Sequence, residues 1–137
     1  MELSIIIVNW NSLTYLRACL ASIYRQVQGI SFEVIAVDNA SPDDIDSLKQ
    51  EFPPVVTIKS LVNLGFAGAN NLGFKRSTGS YVLFLNPDTE IVGKAVTSML
   101  AQAKTRADAG VVGCKLLNTD GSVQTSSIQN FRPYRIK

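Results

Sequence analysis

The chain has 137 residues, of which 46% are hydrophobic and 18% charged, a composition typical of one folded globular domain and not of a disordered segment. Its 13 basic and 11 acidic residues leave a formal net charge of +2, which is too small to indicate nucleic acid as a partner. The sequence has no histidine, which excludes Ser-His and Cys-His nucleophile pairs and leaves carboxylates, amides, the backbone and a hard metal ion for any chemistry.

The first half of the chain alternates between strand and helix patterns. A β-branched run over 3–9 predicts a buried strand, and apolar residues at helical spacing predict a helix over 12–27. Residues 32–38 form the second predicted strand. Ser41, followed by Pro and two Asp residues, predicts the N-cap of a helix that the later Pro-Pro pair ends. A third, shorter strand is predicted over 55–60.

The second half continues the alternation. We predict a short helix over 66–76, a buried strand over 81–85, a helix over 93–107 and a fifth strand over 110–117. The Asp-Gly pair within 118–121 predicts a hairpin turn. The pattern as a whole predicts an α/β, Rossmann-like fold, with a mainly parallel sheet and helices on both faces.

Polar residues follow three of the predicted strands: Asn9-Trp10-Asn11, Asp38 to Ser41, and Asn86-Pro87-Asp88. Because the carboxyl ends of parallel strands share one edge, where α/β sheets bind ligands, we expect these clusters to converge. Helix capping is the alternative for the first two clusters. Asp88 is equally compatible with capping the next helix and with binding a divalent cation.

A glycine-rich segment, 63–73, lies before and within the third predicted helix. It lacks the Gly-Lys-Ser/Thr end of a P-loop, but small residues at a helix start allow a phosphate to approach. Close packing of the helix on the sheet is the alternative. The turn after the first strand has no glycine, which argues against a nicotinamide-binding Rossmann domain.

Together these motifs resemble the nucleotide-binding half of family 2 glycosyltransferases with the GT-A fold, closest to the rhamnosyltransferase-like branch. The resemblance rests on Ser4–Asn11, Val37–Ser41, Asn63–Asn71 and Leu85–Thr89, in the family's order, and on the strand and turn that follow. It implies a nucleotide-sugar-binding α/β domain over 1–117, incomplete at its C-terminus. It further implies that 118–137 form a hairpin or loop and a truncated connection to a missing acceptor-binding half.

The resemblance also implies a role for each matching residue. Asp38 would hydrogen-bond the base of a UDP- or dTDP-sugar, and Asp88 would bind Mg²⁺ or Mn²⁺ on the diphosphate. The other residues expected to contact the nucleotide or sugar are Asn9, Trp10, Asn11, Ser41, Gly68 and Asn70. The implied activity is transfer of a sugar, with dTDP-rhamnose among the candidate donors, to a glycan or lipid-linked acceptor with inversion.

Two departures from the family pattern affect this expectation. Asn86 replaces the first Asp of an Asp-x-Asp metal motif, and after Glu90 the acidic residues are Asp108 and Asp120, neither resembling a catalytic base. We therefore expect the base beyond Lys137 and a chain that is inactive alone. The alternative is a non-catalytic nucleotide-binding or assembly module, for which a homodimer is a candidate state.

Cys19 and Cys114 both lie in apolar surroundings, and their spacing fits neither a disulfide framework nor a zinc site. This favours a reducing compartment, and no signal peptide or spanning segment is visible. We expect a cytoplasmic protein, and peripheral association with the inner face of the membrane stays open.

Overall fold

The computed structural model describes residues 1–124, which form alternating strands and helices. Residues 125–137 of the predicted C-terminal connection lie outside the described part. The elements are β1 Leu3–Asn9, α1 Leu13–Gln26, β2 Phe32–Asp38, α2 Leu48–Glu51, β3 Val56–Lys59, α3 Gly65–Phe74, β4 Tyr81–Leu85 and α4 Ala95–Thr105.

The strands form one parallel sheet in the order β3-β2-β1-β4, which confirms the predicted fold class. Ile7 of β1 pairs with Ala36 of β2 on one side and with Leu85 of β4 on the other. The chain runs outward from β1 to β2 and β3, and then returns to the opposite side of β1 to form β4. Such a reversal of strand order opens a crevice at the carboxyl ends of the two strands that flank it, here β1 and β4.

Helices cover both faces of the sheet, which is why β1 is buried along its whole length. On one face, Ile5 and Ile7 pack in the larger core with buried residues of α1 such as Leu16 and Leu20. On the other face, Ile6 packs in a smaller core with Ala69 of α3. At Gly73 of α3, an added Cβ would lie 2.6 Å from the Ile6 Cγ2 atom. This glycine therefore serves the close packing that was the alternative explanation for the glycine-rich segment.

The prediction that a helix begins at Ser41 is wrong. A 3-10 turn, Ile45–Ser47, comes first and leads into the single turn of α2. Ser41 does not cap it, because the Ser41 hydroxyl and backbone N–H donate to the carboxylate of Asp38. Ala40 adopts a left-handed φ of 60°, so the chain turns sharply here before any helix starts.

The prediction of a strand over 110–117 is also wrong. Within the described residues, these positions join no strand, and Val111 is 92% exposed. Strand-forming residues need a partner strand to make ladder hydrogen bonds, and β4 is not paired with this segment. The predicted hairpin turn is confirmed, because Leu117 forms an antiparallel bridge with Val123.

Candidate functional site

A cleft opens at the carboxyl ends of β1 and β4, at the reversal of strand order. Its volume is about 650 Å³, within the range of small-molecule sites. It is lined by Val8, Trp10, Ser12, Tyr15, Asn39, Asn63, Gly65, Phe66, Asn86, Pro87 and Asp88.

Aromatic side chains form much of the wall of this cleft. Trp10, Tyr15 and Phe66 are 57%, 64% and 61% exposed, although large aromatic side chains are normally mostly buried. Asn11, the next residue, has a left-handed φ of 54°, so the backbone turns directly after Trp10. Exposed aromatic faces in a cleft can stack on a flat ring such as a nucleobase.

The opposite side of the cleft is polar and follows β4. Pro87 ends the strand because it has no N–H to donate, and a Thr89 N–H to Asn86 C=O hydrogen bond of 3.2 Å closes the turn. Asn86 and Asp88 are both exposed. Asp88 does not cap the next helix, since α4 begins at Ala95 with Lys94 at its N-cap position. The capping explanation for Asp88 is therefore excluded.

A partly buried hydrogen-bond network adjoins the cleft and is centred on Asn9, which is fully buried. We call Asn9, Ser12, Asp38, Ser41 and Asp43 the Asn9 network. The Asn9 amide nitrogen lies 3.0 Å from Asp38 Oδ1, 3.2 Å from Ser41 Oγ and 3.0 Å from Asp43 Oδ2. The Ser12 hydroxyl donates to Asn9 Oδ1 at 3.0 Å. The polar side chains at the ends of β1 and β2 thus form hydrogen bonds with one another.

Asn39 joins the cleft floor to the loop before α3. Its side-chain oxygen accepts a 2.8 Å hydrogen bond from the Leu64 N–H, and its amide nitrogen donates to Asn63 Oδ1 at 3.0 Å. These bonds fix the loop that brings Phe66 into the wall. Asn39, Asn63 and Phe66 line the cleft but were not among the predicted ligand contacts, although Asn39 directly follows Asp38 and the other two lie in the glycine-rich segment.

Of the residues predicted to contact the ligand, only Trp10 and Asp88 line the cleft. Asn9, Asp38 and Ser41 belong to the adjoining Asn9 network, and the exposed side chain of Asn11 lies outside the lining. Two more predicted residues lie within α3. An added Cβ at Gly68 would approach Leu64 Cβ to 2.9 Å, and Asn70 donates to the Phe66 C=O of its own helix.

Cys19 lies under the Asn86–Asp88 turn, with its sulfur 3.9 Å from the Asn86 C=O oxygen. Burial, together with the negative charges of Asp88 and Glu90, raises the pKa of the Cys19 thiol to about 12. A thiol with such a pKa is almost fully protonated at neutral pH and is unreactive as a nucleophile. Cys19 therefore has a packing role in this site.

The residues after β4 offer oxygen ligands of the type that Mg²⁺ and Mn²⁺ prefer. Within residues 1–124, no three or more His, Cys, Asp or Glu residues gather closely enough to hold a metal. This part of the chain therefore has no all-protein metal cage. Mg²⁺ is often held by one or two carboxylates and by phosphates of the substrate, so Asp88 fits a cation that shares its ligands with a diphosphate.

A parallel sheet with helices on both faces and a cleft at the reversal of strand order places the chain in the Rossmann-like class of α/β folds. The sequence matches the model of the family described as Glycosyl transferase family 2 over residues 4–137, and the chain belongs to this family.

Several known proteins resemble the chain. It is 33% identical over 116 residues to the O-antigen biosynthesis protein RfbC of Myxococcus xanthus, an alignment that covers 82% of this chain and 9% of RfbC. It is 34% identical over 92 residues to the uncharacterized glycosyltransferase alr2836 of Nostoc, covering 64% of this chain and 28% of that protein.

Among solved structures, S. aureus TarS 1-349 matches with a TM-score of 0.68 and 25% identity, over 77% of this chain and 33% of TarS 1-349. TarS has also been solved in complex with UDP and with UDP-GlcNAc. The chain thus spans about a third of the TarS structure and less of the two relatives above. No helix within residues 1–124 is long and apolar enough to cross a membrane.

Proposed function

We propose that the chain is the donor-binding part of an inverting glycosyltransferase that uses a UDP- or dTDP-sugar, with dTDP-rhamnose among the candidate donors. The observation that carries this proposal is the cleft between Trp10 and Asp88, which pairs aromatic faces with a carboxylate at the sheet's reversal point. Family membership and the UDP complexes of TarS support it. The acceptor would be a glycan or a lipid-linked glycan.

In this proposal the nucleobase stacks against Trp10, and Tyr15 and Phe66 complete the apolar wall. The diphosphate lies towards Asp88. Mg²⁺ or Mn²⁺, when held there with the phosphate oxygens, would offset the negative charge that builds on the departing nucleoside diphosphate. In this structure Asp38 accepts hydrogen bonds from Asn9 and Ser41. Its hydrogen bond to the base stays a prediction.

Sugar transfer with inversion forms one bond between the acceptor oxygen and the anomeric carbon as the bond to the diphosphate breaks. A carboxylate base is expected to take the proton of the acceptor hydroxyl. We do not assign this role to Asp120, which lies in the turn closed by the Leu117–Val123 bridge and whose Oδ1 accepts hydrogen bonds from the backbone N–H and the hydroxyl of Ser122. The role proposed for the described residues is therefore to bind and orient the donor.

Calorimetric titration of the 137-residue chain with UDP and with dTDP, each with and without Mn²⁺, tests the proposal. We expect both nucleotides to bind and Mn²⁺ to tighten binding. The absence of heat, and of any change in Trp10 fluorescence, at millimolar nucleotide would overturn it.

That negative result would favour the alternative, a non-catalytic assembly module with the same fold. The sequence motivates this alternative, because the acidic residues after Glu90 are Asp108 and Asp120 and neither resembles a catalytic base. The module predicts that neither nucleotide nor metal raises the melting temperature, and that light scattering detects self-association. A strict monomer that binds nucleotide would exclude it.

A further inference from the structure

We propose that Asp43, acting through Asn9, is a positioning residue that fixes Trp10 against the cleft. This inference rests on the proposed donor-binding function, because Trp10 is the surface proposed to hold the base. Asp43 does not line the cleft itself. Its side chain contacts the residues at both ends of the turn that carries Trp10.

One carboxylate oxygen of Asp43 holds both ends of that turn. Asp43 Oδ2 accepts a hydrogen bond of 3.0 Å from the Asn9 amide, at the end of β1. The same oxygen accepts a 3.2 Å hydrogen bond from the backbone N–H of Leu13, the first residue of α1. Trp10 and Asn11 lie between these two anchor points. Asp43 therefore links the strand end and the helix start across the Trp10 turn.

The turn needs such anchors because its own backbone is strained. Asn11 has a left-handed φ of 54°, which a residue other than glycine adopts only at a cost. Ser12, at the N-cap position of α1, makes no capping hydrogen bond with its side chain and instead donates to Asn9. The backbone N–H of Leu13, which has no partner within the helix, thus donates to Asp43 in a loop distant along the chain.

Asp43 differs in this respect from the other carboxylate of the Asn9 network. Asp38 accepts hydrogen bonds from Asn9 and from Ser41, which lie at or just after the ends of β1 and β2. Asp43 alone among the network's carboxylates also contacts α1. Loss of Asp43 therefore releases the Trp10 turn from the helix while the contacts of Asp38 remain.

The test uses the 137-residue chain, in which Trp10 is the only tryptophan, so that its fluorescence reports this turn directly. Asp43→Ala removes both hydrogen bonds, whereas Asp43→Asn keeps an oxygen that can accept them. Asp44→Ala is the matched control, since Asp44 is the adjacent exposed carboxylate. Two quantities are measured: acrylamide quenching of Trp10 without nucleotide, and the dissociation constant for UDP, both well below the melting temperature.

We expect Asp43→Ala to increase quenching and to weaken UDP binding about tenfold, as expected for lost hydrogen bonds to a charged group. Asp44→Ala should remain near the unsubstituted chain in both measurements, and Asp43→Asn, which keeps an accepting oxygen but loses the charge, should lie between the unsubstituted chain and Asp43→Ala. A folded Asp43→Ala variant with unchanged quenching and UDP affinity would overturn the proposal, even if its melting temperature falls. That result would leave Asp43 with a structural role only.

If the unsubstituted chain does not bind UDP, the donor-binding function fails, and quenching alone decides the positioning role of Asp43. If Asp43→Ala does not fold, Asp43→Ser replaces it, because this change also removes the carboxylate that accepts from Asn9 and Leu13. Increased quenching in Asp43→Ser supports the positioning role of Asp43, and unchanged quenching contradicts it.

Discussion

The most direct test of the cleft is to remove the aromatic face of Trp10. Trp10 is 57% exposed in the free chain, so its face is available to a base without rearrangement of the core. Stacking of a base on an aromatic side chain contributes ~1–3 kcal/mol, measured by alanine substitution. Trp10→Ala should therefore raise the dissociation constant for UDP by ~5- to 150-fold.

Because more than half of the Trp10 side chain is exposed, the substitution should lower the melting temperature less than truncation of a core side chain would. Trp10→Phe, which keeps a smaller aromatic face, should give an intermediate affinity. Val111→Ala is the control, because Val111 is 92% exposed and lies outside the cleft lining. Calorimetry is the assay, since the substitution removes the fluorophore. A folded Trp10→Ala variant with unchanged UDP affinity would show that the base does not stack on Trp10.

Further predictions concern the Asp88 carboxylate, the two cysteines and the packing of α3. Asp88→Asn removes a charge at nearly constant shape, so calorimetry should show that Mn²⁺ no longer tightens UDP binding; a retained Mn²⁺ effect would remove Asp88 from the metal site. At pH 8, a thiol reagent should label exposed Cys114 and spare buried Cys19, while the unfolded chain should react at both. Because the folded state raises the pKa of Cys19 from 9.0 to about 12, its contribution to stability is complete below pH 9.0 and is lost as the pH rises towards 12. Gly73→Ala overpacks the contact between α3 and the sheet and should lower the free energy of unfolding by ~1–3 kcal/mol in urea titrations; Gly110→Ala, where an added Cβ meets nothing within 4 Å, is its control.

The strands of the sheet could be predicted from the sequence because burial on both faces leaves a continuous apolar signal. Residues 3–9 and 32–38 match β1 and β2 at both ends. The segment 110–117 carries a similar apolar pattern but forms no strand here. Strand formation depends on a partner for the ladder as well as on composition, and a single sequence does not show the partner.

The cleft residues were harder to predict for a related reason. Polar residues at strand ends can face a ligand or each other, and sequence position does not distinguish these cases. Asn9 and Asp38 are paired in the β1–β2 register, which brings the amide and the carboxylate together beside the cleft. Asn39, one residue further along, lines the cleft instead.

The order of the strands explains why Trp10 and Asp88 line the same cleft. The sequence predicts that β4 is parallel to the other strands but not which strand it pairs with. Had β4 been added beyond β3, Asp88 would lie at the far edge of the sheet. Instead β4 pairs with β1, and Ile7 is level with Leu85. Trp10 and Asp88 each lie three residues beyond this pair, so both follow neighbouring strand ends at one edge of the sheet, and both line the cleft there.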